Sequence, residues 1–112
     1  MSRGRNVQRG ERQMMTIVSH VRVKEGHEPA WDAAMRERIE AAKEQPGFVA
    51  VQLCIPAEAM SERVIIGTWE TRADWEAWHN SEPFQQTRAQ LEEPDSKTRR
   101  EWWHEVVLEQ HR

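Results

Sequence analysis

The chain has 112 residues and a formal net charge of −3, and 38% of its residues are hydrophobic and 31% charged. This length allows one domain with a modest core, and no apolar run in the sequence is long enough to span a membrane. A negative net charge disfavours binding to the phosphate backbone of nucleic acids. We therefore expect a small globular domain whose partners are neither membranes nor nucleic acids.

The first 13 residues differ from the rest of the chain, because they contain four arginines and one glutamate and show no apolar periodicity. Such a segment cannot bury enough apolar surface to fold. We expect residues 1–13 to be a disordered basic tail and residues 14–112 to be the folded domain. A single cysteine, Cys54, and a tail without an apolar segment favour a cytoplasmic location.

A strand and a helix are predicted first. Residues 15–23 alternate in polarity, with Ser19 on the more apolar face, which is typical of a half-buried strand. Pro29 suits a first helical turn, and apolar residues follow at three- and four-residue spacing up to Ala42. This spacing predicts an amphipathic helix of about four turns. The Pro-Gly pair at 46–47 should end it.

Two further strands are predicted at residues 48–55 and 64–70, joined by the connection 56–63. Within the second of them, Gly67 indicates either a β-bulge or a close approach by a ligand or side chain. Both strands are rich in β-branched residues, so we expect them to pair in one sheet.

A second helical region is predicted after these strands. Thr71 and Asp74 have the spacing of a capping box, which indicates the start of a helix. Trp75 and Trp78 fall on one face of this helix. Ser81 is a second candidate cap, so a further helical segment should follow it.

The end of the chain completes a recognisable order of elements. Residues 92–100 are polar and predict a loop, whereas residues 102–108 alternate and predict a strand. The order strand, helix, strand, strand, helix, strand is that of α+β ferredoxin-like folds, with an antiparallel sheet and helices on one face. The other face would expose Val18, Val64 and Ile66. We therefore expect a homodimer whose two sheets close into a dimeric α/β barrel.

Three stretches of the sequence resemble the antibiotic biosynthesis monooxygenase family. They are VRVKEGHEPAW, QPGFVAVQL and GTWETRADWEAWHNSEPF, and the resemblance covers roughly residues 14–110. It implies a dimeric ferredoxin-like barrel. It also implies a range of activities: hydroxylation of polyketides or quinols without a cofactor, heme degradation, isomerisation of a signalling sugar, or none that is known. Fold alone does not decide among them.

Heme degradation is the activity that these residues support least. The resemblance to that branch implies an asparagine on the first strand, a tryptophan on the second helix and an axial histidine. Trp78 matches the tryptophan, but Ser19 and Arg88 stand in place of the asparagine and the histidine. Because arginine keeps its proton, it cannot ligate iron, so we expect no cofactor. His79 is a conceivable substitute ligand.

Oxygenation without a cofactor needs an electron-rich substrate, a dry flat-walled cavity, a base and a positive charge near the developing oxyanion. The resemblance therefore implies a small aromatic ligand, phenolic, quinol-like or polyketide-like, held by aromatic and polar side chains. The substrate-binding candidates are Ser19, Trp69, Trp75, Trp78 and Phe84, and the catalytic candidates are His79, Arg88 and His20. No metal-binding motif such as HExxH or CxxC occurs in the sequence.

Each candidate also has a structural interpretation. The tryptophans could be ordinary core residues. Arg88 could form a surface ion pair with Glu92, and His79 points about 100° away from Trp78 around the helix, toward solvent. A non-catalytic ligand-binding dimer is therefore the alternative function.

Overall fold

The computed structural model describes residues 14–91 and 96–112, so the predicted tail at residues 1–13 lies outside the described residues. It has the predicted alternation of strands and helices. In chain order the elements are β1 (Met15–Val23), α1 (Glu28–Ala42), β2 (Phe48–Cys54), β3 (Glu62–Trp69), α2 (Arg72–His79), α3 (Glu82–Gln86), α4 (Arg88–Leu91) and β4 (Ser96–Glu105).

The strands form one antiparallel sheet in the order β2-β3-β1-β4. Because β1 pairs with strands on both sides, Ser19 lies opposite Ile65 on β3 and opposite Glu101 on β4. Ile17, Ser19 and Val21 are buried, as their alternation predicts. This topology confirms the α+β ferredoxin-like fold, while the homodimeric barrel stays a prediction.

α1 packs on the sheet through residues at helical spacing, among them Trp31 and Met35, which are buried as predicted. The indole Nε1 of Trp31 donates a hydrogen bond to the carbonyl oxygen of Leu91 at 3.1 Å, which ties α1 to α4. Two buried clusters result. The first contains Val21, Val23, Trp31, Met35 and Leu91, and the second contains Ala42, Trp69, Trp78 and Phe84.

The start of α2 is capped as predicted. Thr71 Oγ1 accepts a hydrogen bond from the backbone N–H of Asp74 at 3.1 Å and donates one to Asp74 Oδ2 at 3.0 Å. Ser81 acts differently from the prediction. Its Oγ donates to the carbonyl oxygen of Trp78 at 2.6 Å, so it supplies a hydrogen-bond donor for a carbonyl group at the end of α2. Its side chain makes no capping hydrogen bond to α3.

The last strand begins earlier than predicted, because β4 spans Ser96–Glu105 and not residues 102–108. A polar segment can form this edge strand since the pairing uses backbone groups. Trp103 faces the helices, and its ring centroid lies 4.8 Å from that of Trp75. Trp102 lies on the opposite face of the sheet and is 56% exposed.

The predicted bulge at Gly67 is wrong, because β3 keeps an unbroken register with β1 and β2 at this residue. The register shifts instead fall between Phe48 and Ala50 and between His20 and Val21. A Cβ at Gly67 would meet neighbouring side chains at 3.8 Å, an ordinary contact distance. A side chain as small as that of alanine therefore fits at this position.

A buried ion pair joins α1 to β3. Arg63 is 3% exposed, and its Nε and Nη2 donate to the two carboxylate oxygens of Asp32 at 2.8 and 2.9 Å. These hydrogen bonds raise the pKa of Arg63 above its ordinary value. Within residues 14–91 and 96–112, no helix has the length and apolar character needed to cross a membrane.

Candidate active site

A cavity of about 130 Å³, partly open to solvent, lies between the sheet and the helices. Ile17, Ser19 and Gly67 belong to its sheet side, and Met35 and Arg38 reach it from α1. An apolar cavity of about 150 Å³ is large enough to hold benzene. The volume therefore corresponds to about one aromatic ring.

Aromatic side chains form a continuous series of ring contacts along the cavity wall. Phe48 meets Trp69 edge-on with 5.5 Å between ring centroids, and Trp69 stacks on Trp78 at 6.5 Å and 24°. Phe84 meets Trp78 edge-on at 5.4 Å. These are geometries that aromatic pairs prefer, and Trp69, Trp78 and Phe84 are all buried. The wall is therefore flat, apolar and fixed by packing.

His79 borders the cavity between the rings of Trp75 and Phe84, with centroid distances of 3.8 Å and 4.0 Å. Its Nδ1 lies 3.2 Å from the carbonyl oxygen of Trp75. Because a carbonyl only accepts hydrogen bonds, Nδ1 carries the hydrogen and Nε2 carries the lone pair. Burial, followed by the positive charges of Arg38 and Arg88, lowers the pKa of His79 to about 4. The imidazole is therefore neutral at pH 7.

Arg38 brings a buried positive charge to the cavity. Its Nε donates to Thr87 Oγ1 at 2.7 Å and its Nη2 to the carbonyl oxygen of Phe84 at 3.2 Å. The guanidinium carbon lies 3.7 Å from the centroid of the Phe84 ring, a cation–π distance. Because a guanidinium cannot lose its proton in proteins, the charge is permanent.

Ser19 and Glu101 place a carboxylate at another part of the cavity lining. They face each other across the β1–β4 pair, and Ser19 Oγ donates to Glu101 Oε2 at 3.3 Å. Ser19 is 8% exposed, whereas Glu101 is exposed on the edge strand. The carboxylate therefore lies where the cavity meets solvent.

Most of the predicted site residues lie together in the structure. The cavity is lined by all five substrate-binding candidates, Ser19, Trp69, Trp75, Trp78 and Phe84, and by one catalytic candidate, His79. The orientation expected for His79 differs from the observed one. α2 ends at His79, and α3 then turns back so that Phe84 covers the imidazole.

The other two catalytic candidates lie elsewhere. Arg88 is exposed at the start of α4 and is not among the residues that line the cavity, although its charge helps to lower the pKa of His79. Its proposed partner Glu92 lies outside the described residues. His20 is half-buried on the opposite face of the sheet, since its neighbours Ser19 and Val21 face the helices.

Two charged lining residues, Arg38 and Glu101, were missed by the sequence analysis. Arg38 had a detectable signal, because it falls on the buried stripe of α1 that includes Met35 and Ala42, where a charged residue needs a reason. Glu101 had none, because its segment was predicted to be mainly loop. No group of three or more potential metal-binding side chains occurs among the residues that the structure describes.

The family model for antibiotic biosynthesis monooxygenase matches residues 14–90. Among proteins with curated descriptions, no sequence matches this chain. Solved structures with the same fold include SnoaB, a cofactor-independent oxygenase from Streptomyces nogalater, with a TM-score of 0.75 and 17% identity over 88% of this chain and 96% of SnoaB.

Two further solved structures are proteins proposed to be antibiotic biosynthesis monooxygenases. The one from Bordetella bronchiseptica has a TM-score of 0.75 and 21% identity over 86% of this chain and 99% of its own. The one from Caulobacter crescentus has a TM-score of 0.76 and 11% identity over 87% and 92%. At these identities the likeness concerns the fold.

Proposed function

Because the chain belongs to the antibiotic biosynthesis monooxygenase family, we propose that it oxygenates a small, electron-rich phenolic, quinol-like or polyketide-like compound without a bound cofactor. The observation that carries this proposal is a cavity of about 130 Å³ that combines a flat aromatic wall with a neutral histidine and a permanent positive charge. These are the features that a substrate able to reduce O₂ itself needs from a protein.

The reaction balances without a further reductant. For a hydroquinone, one oxygen atom of O₂ enters the ring in place of a hydrogen, and the other oxygen leaves as water. The substrate supplies all four electrons and leaves as a hydroxyquinone. The protein has to form and hold the phenolate, which donates electrons to O₂ more readily than the phenol does.

His79 and Arg38 share the task of forming the phenolate. With a pKa of about 4, His79 is free to accept a proton at Nε2 at pH 7, but it is a weak base for a phenol, whose pKa is about 10. A cation close to the hydroxyl lowers the pKa of the phenol, and the phenolate in turn raises the pKa of the nearby imidazole. Formation of the phenolate therefore requires both residues: His79 as base and Arg38 as the cation.

The cavity of about 130 Å³ has room for about one ring. A larger compound, such as a polyketide or a heme, would have to extend through the opening to solvent or move the walls apart. The heme alternative is supported by Trp69 and Trp78 in the aromatic wall and by a neutral His79, which is a chemically suitable iron ligand. We therefore propose chemistry that uses the substrate and O₂ alone.

The uncovered face of the sheet supports the homodimer as part of the proposal. Val18, Val64 and Ile66 are half-buried there, and Trp102 is 56% exposed. An apolar face of this kind is typical of an interface between subunits.

Ile66→Asp should weaken self-association by at least about 100-fold, since it would bury unpaired charges. Analytical ultracentrifugation measures this change, with the exposed-helix variant Arg36→Gln as control, and a wild-type monomer at micromolar concentration would refute the dimer.

Oxygen uptake with a panel of mono- and dihydroxyaromatics tests the proposed function. The protein is treated with a chelator and assayed without added flavin. At least one compound should quench its tryptophan fluorescence, and the mixture should consume O₂ faster than the compound does alone. Quenching without O₂ uptake would support the non-catalytic ligand-binding alternative. A Soret shift on titration with hemin would support the heme alternative, and the absence of both quenching and uptake would refute the proposal.

A further inference from the structure

We infer that Ser19 and Glu101 form an acceptor site that selects aromatics with two hydroxyl groups, one ionised beside Arg38 and the other donating to Glu101. The inference rests on the proposed function, since it concerns the same cavity. It narrows the substrate from a phenol in general to a dihydroxyaromatic compound, and it makes Glu101 a specificity-determining residue.

The first support is position. Ser19 and Glu101 are cross-strand partners on the side of the sheet that faces the helices, and both line the cavity. Arg38 comes from α1 and is bonded to Thr87 and to the backbone of Phe84. The carboxylate and the guanidinium are thus held by different parts of the fold, the sheet in one case and the helical layer in the other.

The second support is the direction of the hydrogen bonds. An ionised carboxylate accepts hydrogen bonds and donates none. Ser19 already gives its hydroxyl hydrogen to Glu101, so its oxygen is left with acceptor lone pairs. The acceptor site therefore attracts an O–H group and disfavours a phenolate or an ether oxygen, whereas the cationic Arg38 favours a phenolate over an uncharged ether oxygen.

The third support is size. In a cavity of about 130 Å³ that is partly open to solvent, one ring can occupy the apolar space with its substituents against the lining. A ligand with one hydroxyl group can contact either Arg38 or Glu101. A ligand with two can contact both, and the additional hydrogen bond to the Glu101 carboxylate should strengthen binding about tenfold.

Three single-ring probes separate these cases: hydroquinone, phenol and 4-methoxyphenol. The last has a second oxygen that accepts hydrogen bonds but has no hydrogen to donate. Anaerobic isothermal titration calorimetry measures binding without turnover. The wild type should bind hydroquinone about tenfold more tightly than either phenol or 4-methoxyphenol.

Glu101→Gln tests the role of the carboxylate directly. The neutral amide can donate to an ether oxygen, so the ratio of the hydroquinone and 4-methoxyphenol affinities should fall close to one. Glu105→Gln is the matched control, because Glu105 lies four residues along β4 and is exposed. It should keep the wild-type ratio.

Ser19→Ala provides a second variant in case Glu101→Gln does not fold. It removes the hydroxyl that holds Glu101 and should lower the same ratio by a smaller factor. An unchanged ratio in both variants, or a wild type that binds none of the three probes or does not distinguish them, would overturn the inference. Oxygen uptake with the wider panel is measured separately, so the proposed function can fail or succeed independently.

Discussion

The two faces of the sheet differ in what covers them, and this difference separates chemistry from assembly. On the face under the helices, Ile17, Ser19 and Val21 are buried and border the cavity. On the other face, the same strand presents Val18 and His20, which are half-buried. Because strand residues alternate between faces, one stretch of nine residues supplies both the floor of the candidate site and the proposed dimer surface.

The largest expected difference between the faces is in stability. Trp31 is 2% exposed and ties α1 to Leu91, so Trp31→Ala should lower the free energy of unfolding by about 3–5 kcal/mol. Trp102→Ala, on the uncovered face, should lower it by less than about 1 kcal/mol in the separated subunit. Urea unfolding at low protein concentration measures both. Equal losses would contradict the distinction between the faces.

Activity should separate the faces next. His79→Gln removes the proposed base from the cavity and should lower the rate of oxygen uptake by at least about 100-fold. His20→Gln is the matched control, because the same substitution is then made on the opposite face, and it should leave the rate within about twofold of the wild type. A larger loss of activity from His20→Gln than from His79→Gln would contradict this assignment, because it would place the chemistry on the face of the sheet away from the helices.

The pH dependence of stability gives the smallest effect. His79 has a pKa of about 4 in the folded chain and about 6.5 when unfolded. Between these values the unfolded state binds more protons, so stability is complete above pH 6.5 and falls as the pH decreases toward 4. The loss should be about 2–3 kcal/mol. Denaturant unfolding at pH 7 and pH 4.5 should show this loss in the wild type and less of it in His79→Gln, whereas equal losses would show that His79 is not buried as described.

The fold could be predicted from the sequence because the apolar periodicities and the turn residues indicate the same elements. Thr71 and Asp74 marked the start of α2, and the alternation of residues 15–23 placed Ser19 on the covered face. The start of β4 could not be predicted in this way. Its polar residues pair through the backbone, which leaves no apolar pattern to detect.

The candidate site was predictable only in part, for a related reason. The aromatic candidates came from the family resemblance and from spacing along α2 and α3, and Trp75, Trp78 and Phe84 do lie together along the cavity. Their role in binding a substrate stays a prediction. The charged part of the lining was missed. Glu101 lies outside the residues that were predicted to form the last strand, whereas Arg38 falls on the buried stripe of α1 and could have been found there. His79 was expected to face solvent because the turn between α2 and α3 that brings Phe84 over its ring is a tertiary feature.

Turnover under ¹⁸O₂, followed by mass spectrometry of the product, tests the central claim most directly. Chelator-treated protein with a dihydroxyaromatic substrate should give a product that contains one ¹⁸O atom, with the second atom recovered in water and the rate lowered in His79→Gln. Product without ¹⁸O, or hydrogen peroxide formed in equal amount to the quinone, would contradict the assignment of this cavity to a monooxygenase.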